Sequence, residues 1–149
     1  MNRSPLLPPF WLALHLLGMI AVHFVLPLER WIEAPWNLVG VPLLLAGIGL
    51  ALWCDRLFRK HKTTIKPFQE SSALLTQGPY RLSRNPIYLG MVLILIGTDT
   101  LLGTLGPAFL IPVFALRIDR GFIRREEAML EQRFGSAYLD YARRVRRWI

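Results

Sequence analysis

The residues of this chain best equipped for chemistry lie in two polar blocks. The first is Gly78-Pro79-Tyr80-Arg81-Leu82-Ser83-Arg84-Asn85-Pro86-Ile87-Tyr88-Leu89-Gly90. Asn is a favoured N-cap and Pro a favoured first helical residue, so Asn85-Pro86 predicts a helix start. A helix start presents free backbone N–H groups and a positive dipole end, here beside Arg81 and Arg84. Such a place suits a carboxylate or phosphate. An ordinary cap with arginines reaching for lipid headgroups has the same pattern. The second block is Arg124-Arg125-Glu126-Glu127-Ala128-Met129-Leu130, followed by Phe134-Gly135-Ser136-Ala137-Tyr138. On a helix at about 100° per residue, Ile118, Phe122 and Met129 form one apolar row, and Ile123, Leu130 and Phe134 form another. Asp119, Glu126 and Arg133 run between these rows, with Glu126 near the centre of the apolar arc and Glu127 at its edge. A carboxylate facing apolar surroundings is costly unless paired. Arg84 or Arg81 would satisfy it, and so would a cationic ligand.

The elements that must position these blocks are membrane helices. The chain has 149 residues, enough for one domain (1–149), and 53% of them are hydrophobic with a mean hydropathy of +0.36. Apolar runs predict spans over about 9–28, 37–58, 86–102 and 107–118, with a polar tail from 119 to 149. The first run is long enough to span and lacks a small-residue cleavage pattern, so it reads as a retained helix rather than a signal peptide. Gly103-Thr104-Leu105-Gly106-Pro107 is a turn signal between the third and fourth runs. The expected fold is all-α and polytopic: about four transmembrane helices with a C-terminal helical cap over a site.

Charge sets the orientation. Of the 18 lysines and arginines, 16 lie in residues 56–84 and 117–147. The positive-inside rule puts both termini and the 2–3 connection in the cytosol, which an even number of spans satisfies. Trp11, Trp31, Trp36 and Trp53 fall near span ends, as interfacial aromatics do. Charge segregated in this way within an apolar chain reads as membrane topology, not as nucleic-acid binding. Both polar blocks then meet on one membrane face. Together they offer groups for an anion and a carboxylate for a cation, which matches a zwitterion such as an amino-acid-like cofactor.

Other candidates are weaker. His15 and His23 lie eight residues apart in the first run with no supporting motif, and read as buried hydrogen-bonding histidines rather than haem ligands. His61 belongs to a basic loop, and Asp99 marks the far end of the third span. Cys54, the one cysteine, reads as a small buried hydrophobe and excludes an internal disulfide. The sequence has no zinc-ligand spacing, no nucleophile elbow and no Gly-rich phosphate loop, so no metal is expected. Ser136 to Trp148, with Tyr138, Tyr141, Val145 and Trp148 on one face, predicts an amphipathic interfacial helix. It would either close over the site or anchor to anionic lipid.

Leu75-Thr76-Gln77-Gly78-Pro79-Tyr80-Arg81, Arg84-Asn85-Pro86-Ile87-Tyr88-Leu89-Gly90, and Glu126-Glu127 with Leu130, Phe134-Gly135, Tyr138 and Tyr141 carry a resemblance. Over residues 56–149 the chain resembles the isoprenylcysteine carboxyl methyltransferase family, as a short prokaryotic-type member of the wider group that includes phospholipid N-methyltransferases. The resemblance implies an integral membrane enzyme using S-adenosylmethionine, in a prokaryotic inner membrane, acting on a lipidic or apolar small-molecule substrate. It implies cofactor contacts from Gln77, Gly78, Tyr80, Arg84, Asn85, Pro86, Tyr88, Gly90, Glu126 and Glu127, with Glu126 also catalytic. The family's histidine is replaced here by Asn85, which can donate a hydrogen bond but cannot carry a proton. The rival expectation is a small non-enzymatic scaffold binding anionic membrane lipids.

Overall fold

The computed structural model describes residues 7–61 and 73–149; Arg3, Lys62 and Lys66, which contribute to the charge pattern, lie outside them. Among the described residues every named element is helical, with a lone bridge between Arg30 and Thr104. Helix α1 runs Pro8–Val25, and α2 runs Gly40–Lys60 behind a 3-10 turn, Trp36–Val39. A second 3-10 turn, Gly78–Arg81, leads into α3, Pro86–Leu102. The short α4, Leu105–Ala108, is followed by α5, Leu110–Ile118, and a π turn, Asp119–Ile123. Helices α6, Arg124–Phe134, and α7, Ser136–Arg144, complete the fold.

Proline explains where the helices stop short of the predicted spans. Helix α1 ends at Val25 rather than at residue 28 because Pro27 pushes Leu26 out of the helical region, leaving it at φ −141° and ψ 64°. The fourth predicted span, 107–118, is broken between α4 and α5. Pro112 has no N–H for the Ala108 carbonyl, so the ladder is interrupted there. Two helical stretches, Pro8–Val25 and Trp36–Lys60, are long and apolar enough to cross a membrane, and Pro86–Leu102 is a shorter apolar helix. The four full spans read from the apolar runs thus reduce to two clear candidates. Their outward faces carry exposed Phe10, Leu14, Leu17, Phe24, Leu45 and Leu52, as helices facing lipid do.

The helices alternate in direction. At one end the α1–α2 connection docks on the turn after α3: Trp31 N–H donates to the Gly103 carbonyl at 3.2 Å, and Leu105 N–H to Glu29 at 3.0 Å. His23 Nδ1 and Thr104 Oγ1 meet there at 2.9 Å. Gly103 takes φ +72° to end α3, a left-handed cap that a β-carbon would strain. The core links α1, α3 and α5 through Met19, Met91, Leu95, Phe114 and Ile118. His15 is buried there, its Nδ1–H donating to the Trp11 carbonyl at 2.8 Å, so both span histidines have structural partners.

Candidate active site

The opposite end of the bundle gathers the N-terminus of α3, the π turn, α6, α7 and the tail. Helix α3 starts at Pro86 as predicted, but Asn85 makes no side-chain cap. Its Nδ2 instead donates to the Arg147 carbonyl at 3.2 Å. A partner from the tail competes with the local cap and wins.

The π turn changes the register expected for the second block. In an unbroken α-helix Asp119 lines up with Glu126, seven residues on. One extra residue in the π turn moves that alignment to Glu127. The observed contacts follow: Asp119 and Glu127 both bind Arg147, at 3.2 Å and 2.7 Å. Glu126 is left facing the bundle, where the Tyr88 hydroxyl donates to its Oε1 at 2.7 Å. The expected arginine partner of Glu126 is therefore corrected. Arg84 lies against Glu127, at 3.4 Å, and Arg81 is exposed.

Arg84 is the other half-buried charge. One Nη reaches Glu127 and the other donates to the Tyr138 hydroxyl at 3.5 Å, while its Nε is buried without a partner. Buried donors are normally satisfied, so this N–H marks a place where an acceptor belongs. Burial raises the Glu126 carboxyl above its ordinary range; the Glu127 charge adds to this, and the Tyr88 hydrogen bond opposes it. Burial also pushes the Tyr80 phenol well above its usual value, with Cys54, Tyr141 and Glu126 nearby adding to the effect. Tyr138 is pushed up to about 12 by burial, reinforced by Glu127 and opposed by Arg84. The tyrosines here are neutral donors at physiological pH. The carboxylate holding a raised pKa against apolar surroundings is Glu126.

The remaining predicted site residues are spread around this centre. Tyr80 is buried on Cys54, and its carbonyl accepts from the Tyr141 hydroxyl at 2.8 Å. Pro86 is fully buried at the helix start. Gly78 takes φ +59°, and its Cα hydrogen faces the Trp53 ring: a β-carbon there would lie 3.5 Å from it. Gln77 is exposed at the mouth of that 3-10 turn. Gly90 packs on α2, where its added β-carbon would come 2.8 Å from the Gly47 carbonyl. Arg84, Tyr88, Glu126 and Glu127 thus form one cluster, with Tyr80 and Asn85 beside it. Gln77 sits at the rim, and Gly90 serves helix packing. Ser83, within the first polar block, and Arg147, on the basic tail, join the cluster although neither is among the expected cofactor contacts. The tail also departs from expectation: the helix ends at Arg144, and Val145 is extended at φ −120° and ψ 129°. Val145 and Trp148 therefore do not share a helical face with Tyr138 and Tyr141. The reason is the bridge to the 83–85 loop, in which Arg84 N–H donates to the Arg146 carbonyl at 2.9 Å.

The whole chain superposes on the eukaryotic intramembrane Ras methyltransferase ICMT (isoprenylcysteine carboxyl methyltransferase), with a TM-score of 0.68, 23% identity and 53% of that chain covered. Residues 36–137 match the phospholipid methyltransferase family, PEMT, and the chain belongs to that family. The resemblance carried by the two polar blocks is thereby borne out. Protein-S-isoprenylcysteine O-methyltransferase A of Arabidopsis thaliana is 37% identical over 78 residues, 52% of this chain and 40% of its own. The cobalt-zinc-cadmium resistance protein CzcN of Cupriavidus metallidurans is 32% identical over 147 residues, 91% of this chain and 63% of its own. The chain thus spans about two fifths of its plant relative's length.

Proposed function

We propose that this chain is a single-domain integral membrane enzyme. It transfers a methyl group from S-adenosylmethionine to a lipidic or apolar small acceptor at the cytosolic membrane interface. The observation that carries the reading is the half-buried Arg84 guanidinium, its buried Nε unmet, in the same cluster as a half-buried Glu126. An amino-acid-like zwitterion fits that pair: its carboxylate completes Arg84, and its cationic end meets Glu126. Tyr80 and Tyr88 flank the cationic end. Gly78 and Pro86 shape the backbone around the ligand, Asn85 and Glu127 border its carboxylate side, Gln77 lies at the rim, and Gly90 fixes the helix spacing behind it. Bound, S-adenosylmethionine supplies a methyl group on a sulfonium that is already strongly electrophilic. The protein's work is to align the acceptor with that methyl and to exclude water. A carboxylate acceptor needs no base. An amine or thiol acceptor must lose a proton, and a carboxylate of raised basicity such as Glu126 is suited to take it.

Membrane placement follows from the same reading. Residues 8–25, 36–60, 86–102 and 105–118 make four crossings of a prokaryotic inner membrane, with both termini and the site cytosolic. The alternating helices and the site-end arginines support it. The apolar acceptor then arrives through the bilayer and the soluble cofactor from the cytosol. Titration calorimetry with S-adenosylhomocysteine on protein in lipid nanodiscs tests this reading, with micromolar binding expected. Affinity is expected to rise with pH through a range above that of ordinary carboxylates, because Glu126 must be ionised to meet a cation. An absence of binding, in nanodiscs and in detergent, overturns the enzyme reading and leaves the lipid-binding scaffold. Arg84→Lys provides a second test. A lysine cannot present the guanidinium fork, so affinity is expected to fall about tenfold while the fold is kept.

A further inference from the structure

The segment after α7 is fastened to residues distant in sequence. Its backbone takes hydrogen bonds from Arg84 N–H at the Arg146 carbonyl, at 2.9 Å, and from Ser83 Oγ and Asn85 Nδ2 at the Arg147 carbonyl, both at 3.2 Å. The Arg147 guanidinium then crosses to the other side of the site. It donates to Glu127 from Nε at 3.2 Å and from Nη2 at 2.7 Å, and to Asp119 from Nη1 at 3.2 Å. Glu127 and Asp119 are the more buried partners, with side chains 14% and 13% exposed against 36% for Arg147. The hydrogen bond to Glu127 holds the Arg147 guanidinium in its charged form. Trp148, the next residue, packs against the core cluster that contains Tyr88 and Ile123.

This arrangement gives neighbouring glutamates different surroundings. Both Glu127 oxygens are engaged by Arg147, and one also faces Arg84. Glu126 takes its hydrogen bond from a neutral donor, Tyr88. The π turn is what makes the difference, because it lines Asp119 up with Glu127 and builds a two-carboxylate seat that Arg147 bridges, beside Arg84 at Glu127 and Arg124 at Asp119. We propose that Arg147 is a positioning residue. It clasps Asp119 and Glu127 so that the tail closes over the Arg84–Tyr88–Glu126 cluster, and the clasp opens for the soluble ligand to exchange. Glu126 faces the ligand's cationic end, while Glu127, beside its carboxylate end, also holds the lid. The clasp stands on the contacts alone, and its effect on ligand exchange rests on the methyltransferase reading.

Hydrogen–deuterium exchange of the tail, in the full chain in nanodiscs, separates the two parts. Arg147→Ala and Glu127→Gln are each expected to speed amide exchange over residues 145–149 about tenfold, the loss of one charge-assisted bidentate contact. The double variant is expected to add little to either, because both remove the same contact. Arg147→Lys, which keeps the charge but not the fork, is expected to fall between. S-adenosylhomocysteine is expected to dissociate faster in the same order. Glu126→Gln is expected to weaken binding and leave tail exchange as in the wild type. Wild-type tail exchange in Arg147→Ala overturns the proposal. A Glu127→Gln protein whose tail exchanges as in the wild type overturns it too. Wild-type protein that binds no S-adenosylhomocysteine sinks the enzyme reading instead, while tail exchange still decides the clasp.

Discussion

Glu126→Gln is expected to abolish turnover to within about one per cent of wild type, the scale of losing a charged partner at a reacting centre. Its thermal stability is expected to stay level or rise. The two effects have one cause. Burial raises the Glu126 carboxyl, so its ionised form is held against a desolvation penalty that Tyr88 only partly offsets. The amide is nearly isosteric and still accepts from the Tyr88 hydroxyl, so the local hydrogen bond survives. A group whose folded pKa lies above its unfolded value favours the fold at low pH, and that contribution disappears as pH rises through the folded pKa. Wild type and Glu126→Gln should therefore unfold at similar temperatures near pH 4. The wild type should fall behind as pH rises past the ordinary carboxylate range. Unfolding temperatures measured across that window, beside methyl-transfer assays, check both halves. A variant that loses stability at neutral pH would show that Glu126 is a structural anchor.

Some of this site is legible in the amino-acid sequence. Pro86 begins α3 because proline is preorganised for a first helical turn, and that rule is local. Glu126 stood out because a carboxylate in the middle of an apolar arc must face something other than water. The parts that escaped depend on residues distant in sequence. The cap expected of Asn85 is a local preference, and it lost to a carbonyl of Arg147 62 residues away. Arg147 reads as one more cation on a basic amphipathic tail, because nothing in its neighbourhood announces Glu127 twenty residues earlier. The π turn is the least legible feature of all. A projection at a fixed angle per residue assumes an unbroken helix, so it aligned Asp119 with Glu126. Packing of Phe122 and Ile123 into the core, next to a Gly121 whose added β-carbon would meet nothing within 4 Å, accompanies the extra residue instead. A hydropathy scan likewise sees the apolar residues after Gly106 as one run and misses the break that Pro112 makes in the hydrogen-bond ladder.

Gly47→Val is expected to destabilise the bundle strongly, and it should disturb the site without touching it. Helices α2 and α3 meet through two pairs of glycines spaced by seven: Gly40 against Gly97 and Gly47 against Gly90. A β-carbon on Gly47 would lie 2.5 Å from the Gly90 carbonyl and 2.9 Å from Ile94 N, both backbone atoms in a helix. Neither can rotate aside, so the helices must separate. Small residues at such crossings let backbones approach where lipid offers no hydrophobic drive for association. Overpacking of this kind costs roughly 2–3 kcal/mol. Gly49, two residues along the same helix, has nothing within 4 Å of its added β-carbon, so Gly49→Val carries the same change in helix propensity without the clash. Melting in detergent should therefore show Gly47→Val several degrees below wild type and Gly49→Val close to it. The functional consequence follows from Gly90, which stands two residues after Tyr88 on α3. Displacing that turn moves the hydroxyl that holds Glu126, so S-adenosylhomocysteine affinity should fall in Gly47→Val and persist in Gly49→Val. Equal melting temperatures for the two variants would mean that the helices tolerate separation and that the glycine pairs do not set the spacing on which the site depends.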